Sequence, residues 1–377
     1  MSYALQDQLS LSIHFSGVEF PLNHTNFVSS LHIKESVKLF LPELVLELYD
    51  GMRILSSLGL QDGMPVTITF SKNGTIVQTI PFRVFSSHAS QTAEATFYHI
   101  EGYFACPKYL FSAAPISLKG TSTEALKQIA SVCGLLPAMQ NTNDYQLWTP
   151  PISASYAVFA SYITKRGFAN NFSCMQSGIS TRGIFIYRDI MASKPDGVIY
   201  TKQQKVSKEL NARDHVAISF DVNQVMGLNN ATGGYSTYIV PQPIHKALDT
   251  VKEVSVKSNV KAPLINTTIK KAIGRQKYIH LPIDAGNAHD LTANALNQNK
   301  RLAKLFTSNL EVVIHEPTAY TLCDSFMLSA VEDNGEPNYT DSGTYTITDR
   351  IIYIDRGHYY EKLLACRIGT NHDYIAV

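Results

Sequence analysis

The sequence is poor in charge and in long apolar runs, and each shortage excludes a class of protein. Lys and Arg total 32 against 31 Asp and Glu, so the molecule as a whole has no field that would hold a polyanion or an anionic membrane. No run approaches 18 apolar residues, and the N-terminus has no basic segment followed by an apolar one. We therefore expect synthesis in a cytoplasm, no signal peptide and no stable membrane insertion by this chain.

Cysteine pairs are also lacking. The five cysteines are odd in number, widely spaced and never in a CxxC pattern, which excludes a disulfide framework and a cysteine zinc site. We predict that they are buried, reduced thiols, at Cys106, Cys133, Cys174, Cys323 and Cys366.

Signatures of catalysis are missing as well. The sequence has no GxSxG, no P-loop, no GxGxxG and no HExxH. His280 and His289 have no carboxylate at ligand spacing, and the acidic segment 332–341 lacks the calcium-loop order and is interrupted by Pro337. We assign no catalytic, cofactor-binding or metal-binding residue, and we expect no enzyme and no cofactor.

Two other classes of function stay open as alternatives. Carboxylates such as Glu47 or Glu311 could serve a virion-associated carbohydrate-active enzyme, but strand placement alone cannot pair them. A receptor-binding module should show an exposed aromatic groove, for which Trp148, the one tryptophan, gives little support.

The first hundred residues read as short strands. The segments 9–15 and 44–50 alternate apolar and polar residues, and Asn73-Gly74 predicts a hairpin between 65–70 and the apolar run that follows. At least six such segments without a long helix predict an antiparallel barrel or sandwich.

Helices appear near residue 112. Thr121 and Glu124 form a capping-box pattern and Gly134 is a helix stop, which predicts a helix with a buried stripe of Ala125, Ile129 and Val132. A second helix is predicted to end at Lys165, Arg166 and the cap Gly167. With a strand at 183–189, the region 111–206 is predicted to be α+β.

The least regular stretch, residues 227–277, is rich in basic residues. One interpretation is a solvated excursion, and the other is a surface that faces a channel, a partner subunit or a passing polyanion. Its candidate site residues are Lys252, Lys257, Lys261, Lys270, Lys271 and Arg275.

An amphipathic helix is predicted from about Asn287. Its apolar stripe is Leu291, Ala295, Leu302 and Leu305/Phe306, and Lys300, Arg301 and Lys304 lie on the solvent face or in the last turn. We interpret this helix as a connector to the next strand and not as a nucleic-acid reader.

The order of parts repeats. The run LVLELYD, GMPVTITF, an Asn-Gly turn, IPFRVF and ATFYHIEG is echoed by LEVVIHE, CDSFMLSAV, the turn Asn334-Gly335, TYTITDRIIYI and HYYEKLLACRI. The echo is one of architecture and not of side-chain identity, and it predicts two similar barrels in one chain.

The chain resembles the baseplate-hub, or tail-hub, proteins of tailed bacteriophages, whose fold also forms the base of the type VI secretion spike protein. The resemblance covers essentially the full length and lies in the order of elements, carried by LELYDGMRILSSLGLQDGMPVTITF, IEGYFACPKYLFS, GTSTEALKQIASVCGL and NALNQNKRLAKLFTSNLEVVIHEPTAYTLCDSFML.

That resemblance implies a fold that is mainly β with α+β insertions, namely two antiparallel tube-like β-barrels plus an α+β domain. The first barrel would be 1–110 and the second 207–239 with 307–370. The α+β domain would comprise 111–206 and the excursion and helix 240–306, and 371–377 would be a C-terminal tail.

It further implies a structural virion protein of the tail, assembled in the host bacterial cytoplasm. A homotrimer would form a pseudo-sixfold ring that joins the hexameric tail tube protein above to a spike, fibre or tip protein below. The tape-measure protein would be a further partner, and DNA would transit the lumen without sequence-specific binding. The resemblance transfers no catalytic residue, and no appended enzymatic domain is expected after the last predicted strand.

Overall fold

The computed structural model describes residues 3–4, 9–170, 173–190, 192–201, 210–224, 237–242, 252–254, 277–282, 308–332, 334–355 and 357–367. Strands dominate this part of the chain, so the predicted fold class, mainly β with α+β insertions, is confirmed. Fifteen of the strands belong to one continuous sheet.

The first barrel is built by the N-terminal strands, which pair in the order β2-β6-β7-β8-β5-β4. Alternating apolar residues of these strands point inward, for example Leu11, Ile13 and Phe15 of β2, all fully buried. A short helix, α1 (Ile54–Leu58), lies between β5 and β6. The strands are β1 (Tyr3–Ala4), β2 (Leu9–Phe15), β3 (Val18–Phe20), β4 (Asn26–Ser36), β5 (Glu43–Asp50), β6 (Pro65–Lys72), β7 (Thr75–Gln91) and β8 (Thr96–Phe104).

The hairpin predicted at Asn73-Gly74 joins β6 to β7. Both turn residues have positive φ, 50° for Asn73 and 78° for Gly74, as the tight turn of a two-residue hairpin requires. The sequence signal was sufficient here because Asn and Gly tolerate this backbone region better than other residues.

An α+β segment follows the first barrel. Its strands form a three-stranded sheet in the order β10-β13-β12 and a two-stranded sheet of β11 and β9. The elements are α2 (Pro107–Phe111), β9 (Leu118–Gly120), α3 (Ser122–Cys133), β10 (Leu136–Met139), β11 (Gln146–Trp148), α4 (Tyr156–Arg166), β12 (Met175–Ile179) and β13 (Ile184–Asp189).

Helix α3 confirms the predicted caps and corrects the predicted stripe. The Thr121 hydroxyl accepts a hydrogen bond from the Glu124 N–H, the Glu124 carboxylate accepts one from the Thr121 N–H, and Gly134 ends the helix with φ of 73°. Val132, however, is 43 % exposed. The buried face is Ala125, Leu126, Ile129 and Ala130, so the prediction was right for Ala125 and Ile129 and wrong for Val132.

The second barrel comes from separated segments. These are β14 (Pro195–Thr201), β15 (His215–Ala217), β16 (Ser219–Gln224), β20 (Ser308–Ile314), β21 (Ser325–Ser329), β22 (Gly343–Asp355) and β23 (His358–Arg367). Between β16 and β20 lie β17 (Thr237–Gln242), β18 (Lys252–Val254) and β19 (Lys277–Pro282), which form their own three-stranded sheet in the order β18-β17-β19.

The strands of the second barrel pair in the order β14-β21-β22-β23-β20-β16. Strand β14 also pairs with β15, which directly precedes β16 in the chain. The pairings of β14 with β21 and with β15 are parallel, so this barrel is not purely antiparallel. The parallel neighbours β14 and β15 are joined by residues 202–214, a connection long enough for the crossover that parallel pairing requires. The predicted domain boundaries stay a prediction, with β14 lying among strands of the second barrel although it precedes residue 207.

The predicted echo is confirmed as topology. The strands of the first copy pair in the order β6-β7-β8-β5, and those of the second pair as β21-β22-β23-β20. A shift in pairing register also occurs at the same place in both copies. The register of β7 on β8 shifts between Val84 and Ser86, and that of β22 on β23 shifts between Ile347 and Asp349. The turn at Asn334-Gly335 is present, but β22 begins only at Gly343.

Candidate functional site: the seam between the two barrels

The two barrels meet along a seam, where residues Ser30–Ser36 of β4 pair antiparallel with Asp349–Asp355 of β22. The tip of the β22–β23 hairpin also completes the core of the first barrel, to which it contributes Ile352, Ile354 and Tyr359. The Tyr359 ring packs edge-on against Phe70, with ring centroids 5.6 Å apart. Sheet pairing and core packing therefore fix the two barrels against each other.

A buried ion network lies at the seam. The Arg350 guanidinium donates to both carboxylate oxygens of Glu361, with Nε–Oε1 at 2.6 Å and Nη2–Oε2 at 3.0 Å. Its Nη1 also lies 3.1 Å from Oε1 of Glu35. All three residues are at most 3 % exposed. Burial alone would lower the pKa of Arg350, but the carboxylates of Glu361 and Glu35 raise it well above its usual value, so the arginine is held as a cation.

Each carboxylate of the network also binds neutral donors. Glu35 accepts hydrogen bonds from the N–H and hydroxyl of Thr181, in the turn between β12 and β13. Glu361 accepts from the N–H and hydroxyl of Thr318, in the loop after β20, and from the Tyr359 hydroxyl at 3.1 Å. The network thus joins both barrels and the α+β segment at one point, and charge-assisted hydrogen bonds of this kind are among the stronger polar contacts.

A ladder of rings crosses the outer surface of the seam from β4 to the end of β20. His32 stacks on Tyr353 with centroids 5.8 Å apart, and Tyr353 stacks on Tyr360 at 4.9 Å. Tyr360 in turn contacts His315 at 4.6 Å. The ladder presents aromatic and titratable groups to solvent on a rigid sheet.

The outer face of the first barrel carries a second polar group. Nδ1 of His99 lies 3.4 Å from Glu47, and its Nε2 lies 3.7 Å from Glu101. The hydrogen bond from the Ser30 hydroxyl lowers the pKa of Glu47, burial opposes this, and His99 lowers the pKa further. Glu47 is therefore engaged in a surface network, and Glu311 likewise pairs with Lys362 at 2.5 Å.

A polar cleft of about 240 Å³ lies between the α+β segment and the second barrel. Its arginines are paired with its acids: Arg188 lies 2.6 Å from Asp324, and Arg213 lies 2.9 Å from Asp196. Because the charges cancel across the cleft, it offers no net field for a charged ligand. In the part of the chain that the structure describes, no group of three His, Cys, Asp or Glu residues is placed to hold a metal ion.

The predicted site residues and alternatives fall as follows. Lys252 begins β18, where it pairs with Ile239 of β17. Trp148 is 1 % exposed and donates its indole N–H to the Gly120 carbonyl, so it forms no exposed aromatic groove. The remaining basic residues and the predicted helix lie outside the described residues, namely Lys257, Lys261, Lys270, Lys271, Arg275 and residues 287–306.

The cysteines agree with the prediction of buried, free thiols except at Cys133. All five are free thiols, with Cys133 half-buried and the other four buried. Burial raises the pKa of the Cys106 thiol and, to about 12, that of Cys366, so neither is activated as a nucleophile. In the described residues the longest helix, α3, has 12 residues, fewer than the roughly 20 needed to span a bilayer.

Sequence reasoning missed the ion network. Glu35 and Arg350 are 315 positions apart, and no local pattern connects them. A polar residue among apolar ones, as in the run TDRIIYI, was the available signal for Arg350, but it did not indicate a partner.

Comparison with known proteins supports the fold. No protein-family model matches the chain, and no curated protein sequence matches it. A tail protein from Neisseria meningitidis has a TM-score of 0.61 at 12 % identity, over 95 % of this chain and 96 % of its own. The 43 kDa tail protein of prophage MuSo2 from Shewanella oneidensis has 0.61 at 10 % identity, over 95 % and 98 %.

A third structure links the fold to secretion. An Escherichia coli component of the type VI secretion system, itself structurally similar to the T4 bacteriophage tail proteins gp27 and gp5, has a TM-score of 0.50 at 7 % identity, over 97 % of this chain and 79 % of its own. The resemblance found in the sequence is therefore confirmed at the level of the fold, which this chain shares along nearly its whole length with phage tail proteins and with a type VI secretion component.

Proposed function

We propose that the chain is a structural hub of a phage tail, which forms a homotrimer and acts by symmetry matching without catalysis. One observation carries the proposal: a single chain holds two barrels of the same strand order, joined side by side in one sheet. Three such chains would supply six near-equivalent barrels, the number that a hexameric tube offers to its neighbour.

In this proposal the ring binds the tail tube protein on one side and a spike, fibre or tip protein on the other. It encloses the channel through which the genome passes, with the tape-measure protein as a further partner, and the chain resides in the virion tail. The fold of the Neisseria and Shewanella tail proteins supports the tail assignment. The basic residues Lys252, Lys257, Lys261, Lys270, Lys271 and Arg275 would face the channel or a neighbouring subunit.

The seam explains how such a ring could remain rigid. A buried arginine shared by two carboxylates is costly to break, since removal of one partner leaves a charge without compensation. The angle between the two barrels of one chain is thereby set before any subunit joins another, so the chain would add to a ring as a preformed unit.

The test is the mass and binding behaviour of the purified protein. Sedimentation at increasing concentration should give three times the 41.8 kDa mass of the chain, and the oligomer should bind the ends of assembled tail tubes in electron micrographs. A protein that stays monomeric at every concentration and leaves tube ends bare would contradict the proposal.

A further inference from the structure

Among the described strands, none pairs with one edge of β7 along its second half. The first half, Thr75–Arg83, pairs with β6 on one edge, and residues Phe82–Gln91 pair with β8 on the other. Beyond Ser86, no strand among the described residues pairs with the edge that β6 leaves, and Ser87–Gln91 are all exposed. An exposed strand edge is a template for pairing with another chain.

Strand β22 shows what such an edge can bind. It is the counterpart of β7 in the second barrel, with the same bulge relative to its hairpin partner. Its first part, Gly343–Thr346, uses one edge to pair with β21, and Asp349–Asp355 use the continuation of that edge to pair with β4 of the other barrel. The unpaired edge of β7 is therefore the counterpart of the seam.

Strand β16 has the matching unpaired edge within the described part of the chain. It pairs with β20 as β4 pairs with β5, so β16 is the counterpart of β4. The second edge of β4 is taken by β22 from Ser30 onward, whereas nothing in the described ranges pairs with the second edge of β16. The described strands thus present two complementary unpaired edges, one on β7 and one on β16. Between them in the sheet lie β8, β5, β4, β22, β23 and β20.

Burial of the inward residues gives an independent sign of an incomplete core. Leu31 and Ile33 of β4 are fully buried because the β22–β23 tip covers them. Their counterparts on β16, Phe220 and Val222, face the second core but are only half-buried. Ile352 is one of the residues of β22 that cover the core of the first barrel. The residue at the corresponding position of β7 is Ala89.

We propose that β16 of one copy pairs antiparallel with the second half of β7 of the next copy, so that the contact between subunits repeats the seam within each subunit. The internal register fixes the external one. The internal pair Ile33–Ile352 corresponds to Val222 of one copy opposite Ala89 of the next. In the same way His32–Tyr353 corresponds to Asp221 opposite Ser90. The pair Lys34–Ile351 corresponds to Asn223 opposite His88. This inference rests on the proposed trimer and adds which surfaces join.

The two seams differ in chemistry. Transfer of the same register places Ser87 where the internal seam has Arg350, and Tyr98 where it has Glu361. The contact between subunits then holds no buried charge at these positions. A head-to-tail contact between different surfaces closes into a ring when its rotation divides a full circle, which three copies of a two-barrel unit would satisfy.

Disulfide trapping tests the register directly. Asn223→Cys combined with His88→Cys places two thiols on directly opposed residues, within the Cα separation of 4.4–6.8 Å that a disulfide needs. Under mild oxidation we expect the mass on a denaturing gel to shift from one chain to three. The matched control, Ser219→Cys with His88→Cys, is four positions out of register, or about 13 Å along the strand, and should stay at one chain.

Two further samples separate intermolecular from intramolecular bonds. A mixture of the two single variants Asn223→Cys and His88→Cys should yield covalent dimers made of one of each, and neither single variant alone should cross-link. The wild-type chain, whose cysteines are buried or half-buried, is the blank.

The oligomeric state of the same variants is measured before oxidation. If cross-linking fails, this measurement shows whether the strand pairing alone is wrong or the trimer as well. If sedimentation gives a trimer but Asn223/His88 fails to cross-link, or the out-of-register control links equally well, the strand pairing is overturned and the proposed trimeric hub stands. If no trimer forms at any concentration, both the hub and the strand pairing are overturned.

Discussion

The open ends of the two barrels differ, although the barrels share one strand order. The first barrel is covered by the β22–β23 tip, which buries Leu31 and Ile33 completely, while Phe220 and Val222 at the same place in the second barrel remain half-buried. In the strand pairing proposed above, this difference means that the chain carries one interface twice. The first copy forms within the chain, and in the described residues the second is left as two unpaired strand edges.

Removal of the charge at the internal seam should have the largest effect on stability. Arg350→Met leaves Glu35 and Glu361 buried without a cation, and we expect the free energy of unfolding to fall by about 3–5 kcal/mol. Denaturant titration at neutral pH measures it. The control is Lys362→Met, which breaks the 2.5 Å contact between a lysine that is 28 % exposed and Glu311, which is 44 % exposed, and should cost less than about 1 kcal/mol. Similar losses in the two variants would mean that the network does not hold the seam.

Truncation of the β22–β23 tip, which covers the core of the first barrel, should have the second largest effect on stability. Ile352 of the internal seam corresponds to Ala89 in the proposed contact between subunits. Ile352→Ala therefore gives both contacts the same small residue, and it opens a cavity in the core of the first barrel. A loss of about 2–5 kcal/mol is typical of such a truncation at a site that is 1 % exposed. Ile351→Ala, on the neighbouring half-buried position, is the matched control and should lose clearly less. An unchanged free energy of unfolding in Ile352→Ala would show that the β22–β23 tip does not stabilise the first barrel.

A smaller, pH-dependent effect is expected at Glu47, whose counterpart in the second barrel is Val313. Because its folded-state pKa lies below the ordinary 4.5, ionised Glu47 stabilises the fold above that pH, and the contribution is lost as the pH falls through the folded pKa. Glu47→Gln should therefore lower stability at neutral pH by less than about 1 kcal/mol, and the difference from wild type should vanish in acid. Unfolding titrations at neutral pH and at a series of pH values that decrease from 4.5 measure this. A difference that grows in acid would contradict the sign.

Substitution on the unpaired edge of β7 should have almost no effect on the stability of the single chain. Ala89→Lys changes an exposed residue, so the unfolding free energy should stay within about 0.5 kcal/mol, yet trimer assembly should be lost because the lysine would enter the neighbour's core. Val77→Lys, another exposed apolar position on β7, lies where β6 already pairs and should leave assembly intact. Sedimentation separates the two, and an intact Ala89→Lys trimer would place the interface elsewhere.

The sequence was informative wherever the determining interactions are local. Thr121, Glu124 and Gly134 set the ends of α3, and Asn73-Gly74 sets a hairpin, because each acts through backbone groups a few residues away. The order of strands in the two copies was also visible, since alternation and turns mark each strand in turn.

Interactions that depend on distant residues could not be predicted. The pairing of Arg350 with Glu35 requires knowing that β4 lies beside β22, and the exposure of Val132 depends on which neighbours pack on α3. The parallel pairing of β14 had no local signal either, because residues 195–201 look the same in a strand of either direction.

The measurement closest to the central claim is a three-dimensional electron microscopy reconstruction of the purified oligomer, calculated without imposed symmetry. We predict a ring of three chains in which six barrels repeat at intervals near 60°, with each β16 continuing into the β7 of the next chain. A ring whose barrels alternate between two unlike contacts, with the edges of β7 and β16 both facing solvent, would contradict it.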